Sequence, residues 1–314
     1  MINKSKISII GAGMVGSTTA FALMLSGLSL DIALIDVDRK KAAGDALDMM
    51  HGSAFLPSSE IYAGDYADCG DSSIVIITAG ARQKSGESRI DLLKRNNYIF
   101  RQIAGEILKN CPHQPIIIVV SNPVDILTYL TYELTGFSRN KVFGSGTLLD
   151  SSRFKYLLGK QMNIDPKSLH AYIIGEHGDS KVAAWSKTSI AGMRFAEYSD
   201  KRSGFDEAVA DRIADEVKDA AYKVIEMKGA TYYAIALSVR RIVECVLRDD
   251  RSVLPVSCVL KGEYGIENIA LSLPSIVGKN GVEEILPVEY SEREMSKLIS
   301  SADSLKKAYA DLKS

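Results

Sequence analysis

Five apolar runs mark the first half of the chain, at residues 7–10, 31–36, 73–78, 115–120 and 141–143. They are apolar throughout instead of alternating, which is the pattern of strands covered on both faces of a parallel sheet. Segments with helical spacing separate them, among them 17–28, 90–109 and 125–134. This β–α alternation predicts an α/β fold built on a doubly wound, Rossmann-type parallel sheet. The second half reads differently. Residues 206–228 form a long amphipathic pattern with charge on one face, and 231–247 a second helix. Strand-like pieces at 257–260 and 268–272 are spaced by glycines, as in antiparallel hairpins, and a charged helix at 291–312 closes the chain. The division falls near Gly146. It gives an α/β part over 1–146 and an α+β part over 147–314. With no repeat or low-complexity linker between them, the two are expected to pack closely.

Composition narrows the function classes. A net charge of −1 over 314 residues supplies no global field for nucleic acid or an acidic membrane, so any anion must be held locally. The first apolar run starts too early to leave room for a signal peptide, and none approaches the roughly 20 residues that span a bilayer. Cys69, Cys111, Cys245 and Cys258 form no C-x-x-C pair and read as isolated reduced thiols. A cytoplasmic protein without metal, membrane or nucleic-acid partners is expected.

Gly11-Ala12-Gly13-Met14-Val15-Gly16 follows the first run and opens the first helix. The first glycine permits a tight turn, the second lets the backbone approach a pyrophosphate, and the third lets helix and strand pack closely. The helix N-terminus adds free N–H groups and partial positive charge. Asp36 ends the second run, where a carboxylate accepts from an adenosine ribose and repels a 2′-phosphate, so NAD is favoured over NADP. The competing reading is a structural turn with Asp36 as a helix cap. A nucleoside-triphosphate loop fits poorly, since Ser17 stands where lysine is needed.

Three further segments carry chemistry. Residues 78–89 leave the third run at its ligand-binding end, and a mobile lid is expected at 80–90. Its Arg89 reads either as a ligand contact or as a solvated charge at a helix start. Asp150-Ser151-Ser152-Arg153 sets acid and base three residues apart on a helix: a surface ion pair, or a carboxylate grip by Arg153 with Asp150 orienting an imidazole. Gly175-Glu176-His177-Gly178-Asp179 ends the apolar stretch 171–174 and offers that imidazole, whose ordinary pKa suits proton transfer.

Together with Ser121-Asn122-Pro123-Val124-Asp125, Gly144-Ser145-Gly146-Thr147 and Lys228-Gly229-Ala230-Thr231, these segments make the chain resemble the lactate/malate dehydrogenase family nearly end to end. The resemblance implies NAD-dependent hydride transfer between small 2-oxo and 2-hydroxy acids. It implies His177 as proton donor and acceptor with Asp150 as its partner. Arg153 would hold the substrate carboxylate, Arg89 would polarise the carbonyl from the lid, and Asn122 would lie near the reacting carbon with a cis peptide before Pro123. Ser145 would face the nicotinamide amide. Gly11, Gly13, Val15, Gly16, Tyr66, Gly80 and Ala81 would line the cofactor groove, with Lys41 near the adenosine end. Thr231 would close the pocket, and a homotetramer is implied, with a dimer as fallback.

Within the family, Gln83 occupies the lid position where the malate branch is expected to carry arginine. A neutral glutamine suits the methyl group of pyruvate. Enclosing oxaloacetate there would bury an unpaired carboxylate at about 4 kcal/mol, a preference of about a thousandfold for the lactate branch. Lys155 and His170 match the positions at which some relatives bind fructose 1,6-bisphosphate. Lysine lacks the fork suited to phosphate, and the reading is against activation. Malate dehydrogenase, a related NAD-dependent glycosidase and a non-catalytic NAD sensor are the alternatives. His51 and His113 are expected in solvent, and Trp185, Tyr222, Tyr232 and Tyr233 in packing.

Overall fold

The computed structural model describes residues 5–28, 30–56, 58–81, 89–199 and 205–313, without the side chains of Arg89, Ile90 and Lys313. The first half runs β1 (Ser5–Ile10), α1 (Met14–Met24), β2 (Leu30–Ile35), α2 (Arg39–His51), β3 (Glu60–Ala63), β4 (Ile74–Ile77), α3 (Arg89–Asn110), β5 (Ile116–Val119), α4 (Val124–Thr135) and β6 (Val142–Gly144). These six strands are parallel and lie in the order β3-β2-β1-β4-β5-β6. The strand order reverses between β1 and β4, which opens a crevice at the carboxyl ends of those strands. Every residue of β4 and β5 is buried, as a strand with helices on both faces requires. The first helix begins three residues earlier than its pattern indicated, directly on the glycine turn, and stops at Met24 ahead of Gly27 at φ +75°.

The second half contains α5 (Leu148–Met162), five two-residue strands, β7 (Leu169–His170), β8 (Ile173–Ile174), β9 (Val182–Ala183), β10 (Ser189–Ile190) and β11 (Met193–Arg194), then α6 (Phe195–Ser199), α7 (Glu207–Lys228) and α8 (Tyr233–Arg248). It ends with β12 (Ser252–Lys261), β13 (Glu267–Gly278), β14 (Gly281–Ile285) and α9 (Glu292–Lys313). The hairpin pattern is present, but its strands build no separate sheet. β12 pairs antiparallel with β6, and β14-β13-β12 extend the parallel sheet to nine strands.

Two apolar cores result. The larger follows the nine-stranded sheet, and the smaller gathers Phe154, Leu158, Phe195, Ile213 and Val217 between α5, α6 and α7. Trp185 packs edge-on to Phe154 at 4.7 Å in this second core. Two of the tyrosines depart from the expectation of packing, while Tyr232 is half-buried with its ring 4.4 Å from that of Tyr233. Tyr222 and Tyr233 are exposed, and the Lys228 ammonium lies 3.4 and 4.0 Å from the ring centres of Tyr232 and Tyr233. His113, at the surface, nonetheless bonds Ser72 O at 2.8 Å through its ring. All four cysteines are buried and free. No helix among the described residues is long and apolar enough to cross a membrane.

Candidate active site

The glycine turn sits at the β1–β4 crevice. Gly11 holds φ +104°, and a Cβ there would meet Ala79 N at 2.5 Å. At Gly16 a Cβ would meet Gly11 O at 1.8 Å. The protein itself therefore forbids a side chain at both. Gly13 is different: it is exposed, its φ is −69°, and a Cβ would meet nothing within 4 Å. Nothing inside the protein requires glycine there. The open space lies at the uncapped start of α1, where backbone donors and the helix dipole favour a phosphate. A dinucleotide pyrophosphate accounts for that glycine, so the residues present fit NAD.

Asp36 accepts from Ala12 N at 2.6 Å and from Asp38 N at 2.9 Å, so its carboxylate is fixed against the turn. Lys41 reaches across it, 2.6 Å from Ala12 O and 2.5 Å from Asp45. On the facing side, Thr78 donates to Gly11 O at 2.6 Å, and Ala81 N donates to Asn96 Oδ1 at 2.7 Å beside Gly80. Tyr66 opens the short helix Tyr66–Asp71 and lines a groove with Val37 and Arg101, its hydroxyl pushed up to about 12 by burial. Val15 lies half-buried in the first turn of α1, and Ser145 is buried after β6, its N–H on Val119 O at 2.8 Å.

The histidine is placed by backbone. Gly175 exchanges two hydrogen bonds with Ser272 on β13, at 2.9 and 3.0 Å, and turns the chain at φ +88°. Two residues on, His177 N donates to Asp125 Oδ2 at 2.7 Å. Opposite it, α5 is fixed to β8 by Thr147 Oγ1 on Ile173 O at 2.5 Å and by Ile173 N on Ser151 Oγ at 2.8 Å. Asp150, in the first turn of α5 and wholly buried, then meets the ring: Oδ2 lies 2.5 Å from His177 Nδ1. The other oxygen, Oδ1, takes Arg153 at 3.1 Å and Lys181 at 2.9 Å.

Burial alone would raise the Asp150 pKa, but His177 and Lys181 hold it well below the usual carboxylate range. Burial likewise opposes the imidazolium, yet Asp150 outweighs it and leaves the His177 pKa raised. Asp125 is pushed up to about 6 by burial, against hydrogen bonds from Ser257 and His177 N.

His177 shares a cavity of about 610 Å³ with Asn122, Pro123 and Ile126, below Tyr222 and beside α9. The Asn122–Pro123 bond is cis, and Asn122 O accepts from Asn96 at 3.1 Å. Thr231 lies half-buried between α7 and α8 and is not among the residues lining this cavity. Arg89 opens α3, but its side chain and all of Gln83 lie outside the described residues, as does most of the lid. Lys155 points at the Tyr172 ring, 5.7 Å from its centre, and burial lowers its pKa. His170 is exposed on β7. Among the described residues no three His, Cys, Asp or Glu side chains cluster to hold a metal ion.

Sequence reasoning missed Lys181, Asp125 and Asn96. Lys181 follows His177 by four residues and resembles any surface lysine until α5 is packed against it. Asp125 stood inside a quoted motif without a role.

Comparison with known proteins identifies the family. Residues 5–144 match the family profile described as "lactate/malate dehydrogenase, NAD binding domain", and residues 147–314 match "lactate/malate dehydrogenase, alpha/beta C-terminal domain". The chain is 54% identical over 302 residues to an L-lactate dehydrogenase of Acetivibrio thermocellus, covering 96% of this chain and 95% of that one. It is 52% identical over 309 residues to L-lactate dehydrogenase 1 of Clostridium acetobutylicum, covering 98% of each. The crystal structure of the minor L-lactate dehydrogenase of Enterococcus mundtii in a ligands-bound form superposes with a TM-score of 0.95 at 43% identity, over 98% of each chain. With matches running across both halves, the chain belongs to the lactate/malate dehydrogenase family.

Proposed function

We propose that His177 exchanges the proton, and Arg153 holds the substrate carboxylate, in an NAD-dependent L-lactate dehydrogenase that interconverts pyruvate plus NADH and L-lactate plus NAD. The observation that carries this reading is the buried Asp150, bound to His177 through one oxygen and to two cations through the other. With Nδ1 committed to Asp150, Nε2 is the ring nitrogen left for a substrate oxygen. The carboxylate fixes the ring's tautomer and stabilises its charged form. Arg153 stands three residues from Asp150 on the same helix, so a carboxylate gripped by its fork would bring the adjoining carbonyl near the ring.

NAD supplies the hydride acceptor when bound, and NADH the donor. Gly13, on the turn that Gly11 and Gly16 make possible, would face its pyrophosphate, and Asp36 with Lys41 would flank its adenosine end. Asn122 and Ser145 would meet the nicotinamide side, and Val15, Tyr66, Gly80 and Ala81 would line the groove. His177 and Arg89 present positive charge where the carbonyl oxygen gains electrons, so they favour the transition state over the ground state. Gln83 would select the methyl group of pyruvate, and Thr231, half-buried off the cavity lining, would have to move in to close the pocket. The two parts divided near Gly146 supply cofactor and substrate sides respectively.

Self-association as a homotetramer is supported by exposed apolar side chains on paired helices. Phe21 and Leu25 stand at α1, Leu237 stands on α8 that packs against it, and Ile225 and Met227 stand on α7. A cytoplasmic location accords with the buried free thiols.

The test follows NADH absorbance with pyruvate, oxaloacetate and longer 2-oxo acids. Pyruvate is turned over best, and His177→Asn loses about 10³-fold in kcat with NADH binding retained. Pyruvate turnover that survives this substitution would remove the mechanism. Gln83→Arg shifts relative kcat/KM towards oxaloacetate; an unchanged ratio would count against the assignment of that position.

A further inference from the structure

Of the two cations on Asp150, Lys181 has so far been given no role of its own. The Lys181 side chain is only 9% exposed, and its ammonium sits 2.9 Å from Asp150 Oδ1. A buried ammonium needs a counter-charge, and Asp150 supplies one that is itself wholly buried. We propose that Lys181 is a positioning residue that shares the Asp150 carboxylate with His177 and thereby sets the pH at which the imidazole takes up its proton. The inference rests on the reading of His177 as the proton carrier.

Two effects of Lys181 on the ring act in different directions. By pinning Oδ1 it turns Oδ2 towards Nδ1, which holds the ring in place. By neutralising part of the carboxylate charge it weakens the attraction that keeps the ring protonated. Arg153 shares Oδ1 as well, at 3.1 Å, but Arg153 also has a substrate carboxylate to meet. Lys181 is therefore the cation whose hold on Asp150 is independent of substrate. A ring balanced in this way gives up its proton more readily than one facing an unshared carboxylate.

Other charged or titratable groups facing this ring come from every neighbouring element. Asp125 on α4 accepts from His177 N, and Asp150 and Arg153 stand on α5. Glu176 and Asp179 flank the ring on its own segment, and Tyr222 of α7 and Asp311 of α9 line its cavity. The Arg89 side chain lies outside the described residues. In this company burial disfavours the imidazolium, Asp150 favours it strongly, and Lys181 pulls back part of that gain.

The decisive measurement is an NMR titration of the imidazole signals of the full-length protein without substrate. The chain has four histidines, and His177→Asn assigns the one that matters. In Lys181→Met the His177 midpoint moves to higher pH, and in Lys181→Arg it stays with the parent. Lys181→Gln keeps a donor for Oδ1 and moves upward as well, which covers the case of a Met variant that folds poorly. In turnover, Lys181→Met keeps about threefold more of its plateau kcat/KM for pyruvate than the parent does on the alkaline side of the profile. A midpoint unchanged or lowered in both neutral variants overturns the proposal. Because the titration uses no substrate, the predicted shift in a protein that does not reduce pyruvate would sink the functional reading alone.

Discussion

The two sides of the site are built from different materials. The cofactor side is a backbone construction: a glycine turn, a helix start and strand ends, with side chains mainly kept away. The proton-transfer side is a side-chain construction, in which one buried carboxylate gathers an imidazole, a guanidinium and an ammonium from two segments. The first kind leaves no room for added atoms at Gly11 and Gly16 but needs no charge balance there. The second tolerates modest changes of shape but depends on every charge having its partner.

Substitutions can break this contrast, and the largest effect is expected at the carboxylate. Asp150→Asn leaves Lys181 and Arg153 without their buried counter-charge and His177 without its anchor. It should cost about 3 kcal/mol of stability and about 10³-fold in kcat for pyruvate, as read by denaturant unfolding and by NADH absorbance. An Asn variant as stable and active as the parent would mean that the cluster is incidental. Next comes a paired test of the turn. Gly16→Ala drives a methyl into Gly11 O and should cost about 3 kcal/mol in unfolding. Gly13→Ala meets no protein atom, so stability should hold within about 1 kcal/mol while NADH affinity, followed by fluorescence, falls about tenfold or more. Equal behaviour of the two would erase the distinction between a glycine required by the fold and one required by a ligand.

The smallest effect is graded with pH. The Asp150 pKa is held low and the His177 pKa raised, so their contact supports folding between the two values. Its contribution is lost as pH falls through the lowered carboxylate pKa, and again as pH rises through the raised imidazole pKa. Pyruvate reduction consumes the protonated ring and should decline as pH rises through the same value. Lactate oxidation needs the neutral ring and should gain there. Initial rates in both directions across pH check the sign, and parallel profiles would contradict it.

The same contrast explains what was legible in the sequence. Strands buried on both faces announce themselves as uninterrupted apolar runs, and a glycine turn carries its geometry in its spacing. The parallel sheet, apart from its edge strand β3, and the glycine turn could therefore be read residue by residue; the order of the strands could not. Asp150 and Arg153 were visible as a pair because a helix brings residues three apart together. The meeting of Asp150 with His177, 27 residues on, was supplied by family resemblance, since spacing alone says nothing about contacts across a fold. Lys181 escaped because nothing local distinguishes a buried lysine from an exposed one. The joining of β12 to β6 escaped because a hairpin's pattern does not name the edge it will extend.

That shared edge sets the alignment of the two sides. Five inter-strand steps separate β1 from β13, each about 4.8 Å wide. The glycine turn follows the first of these strands directly, and the segment carrying His177 is tied by two hydrogen bonds to the second. The reach from phosphate cradle to proton donor is thus counted out in ladder rungs, a ruler whose length does not change when surface loops rearrange.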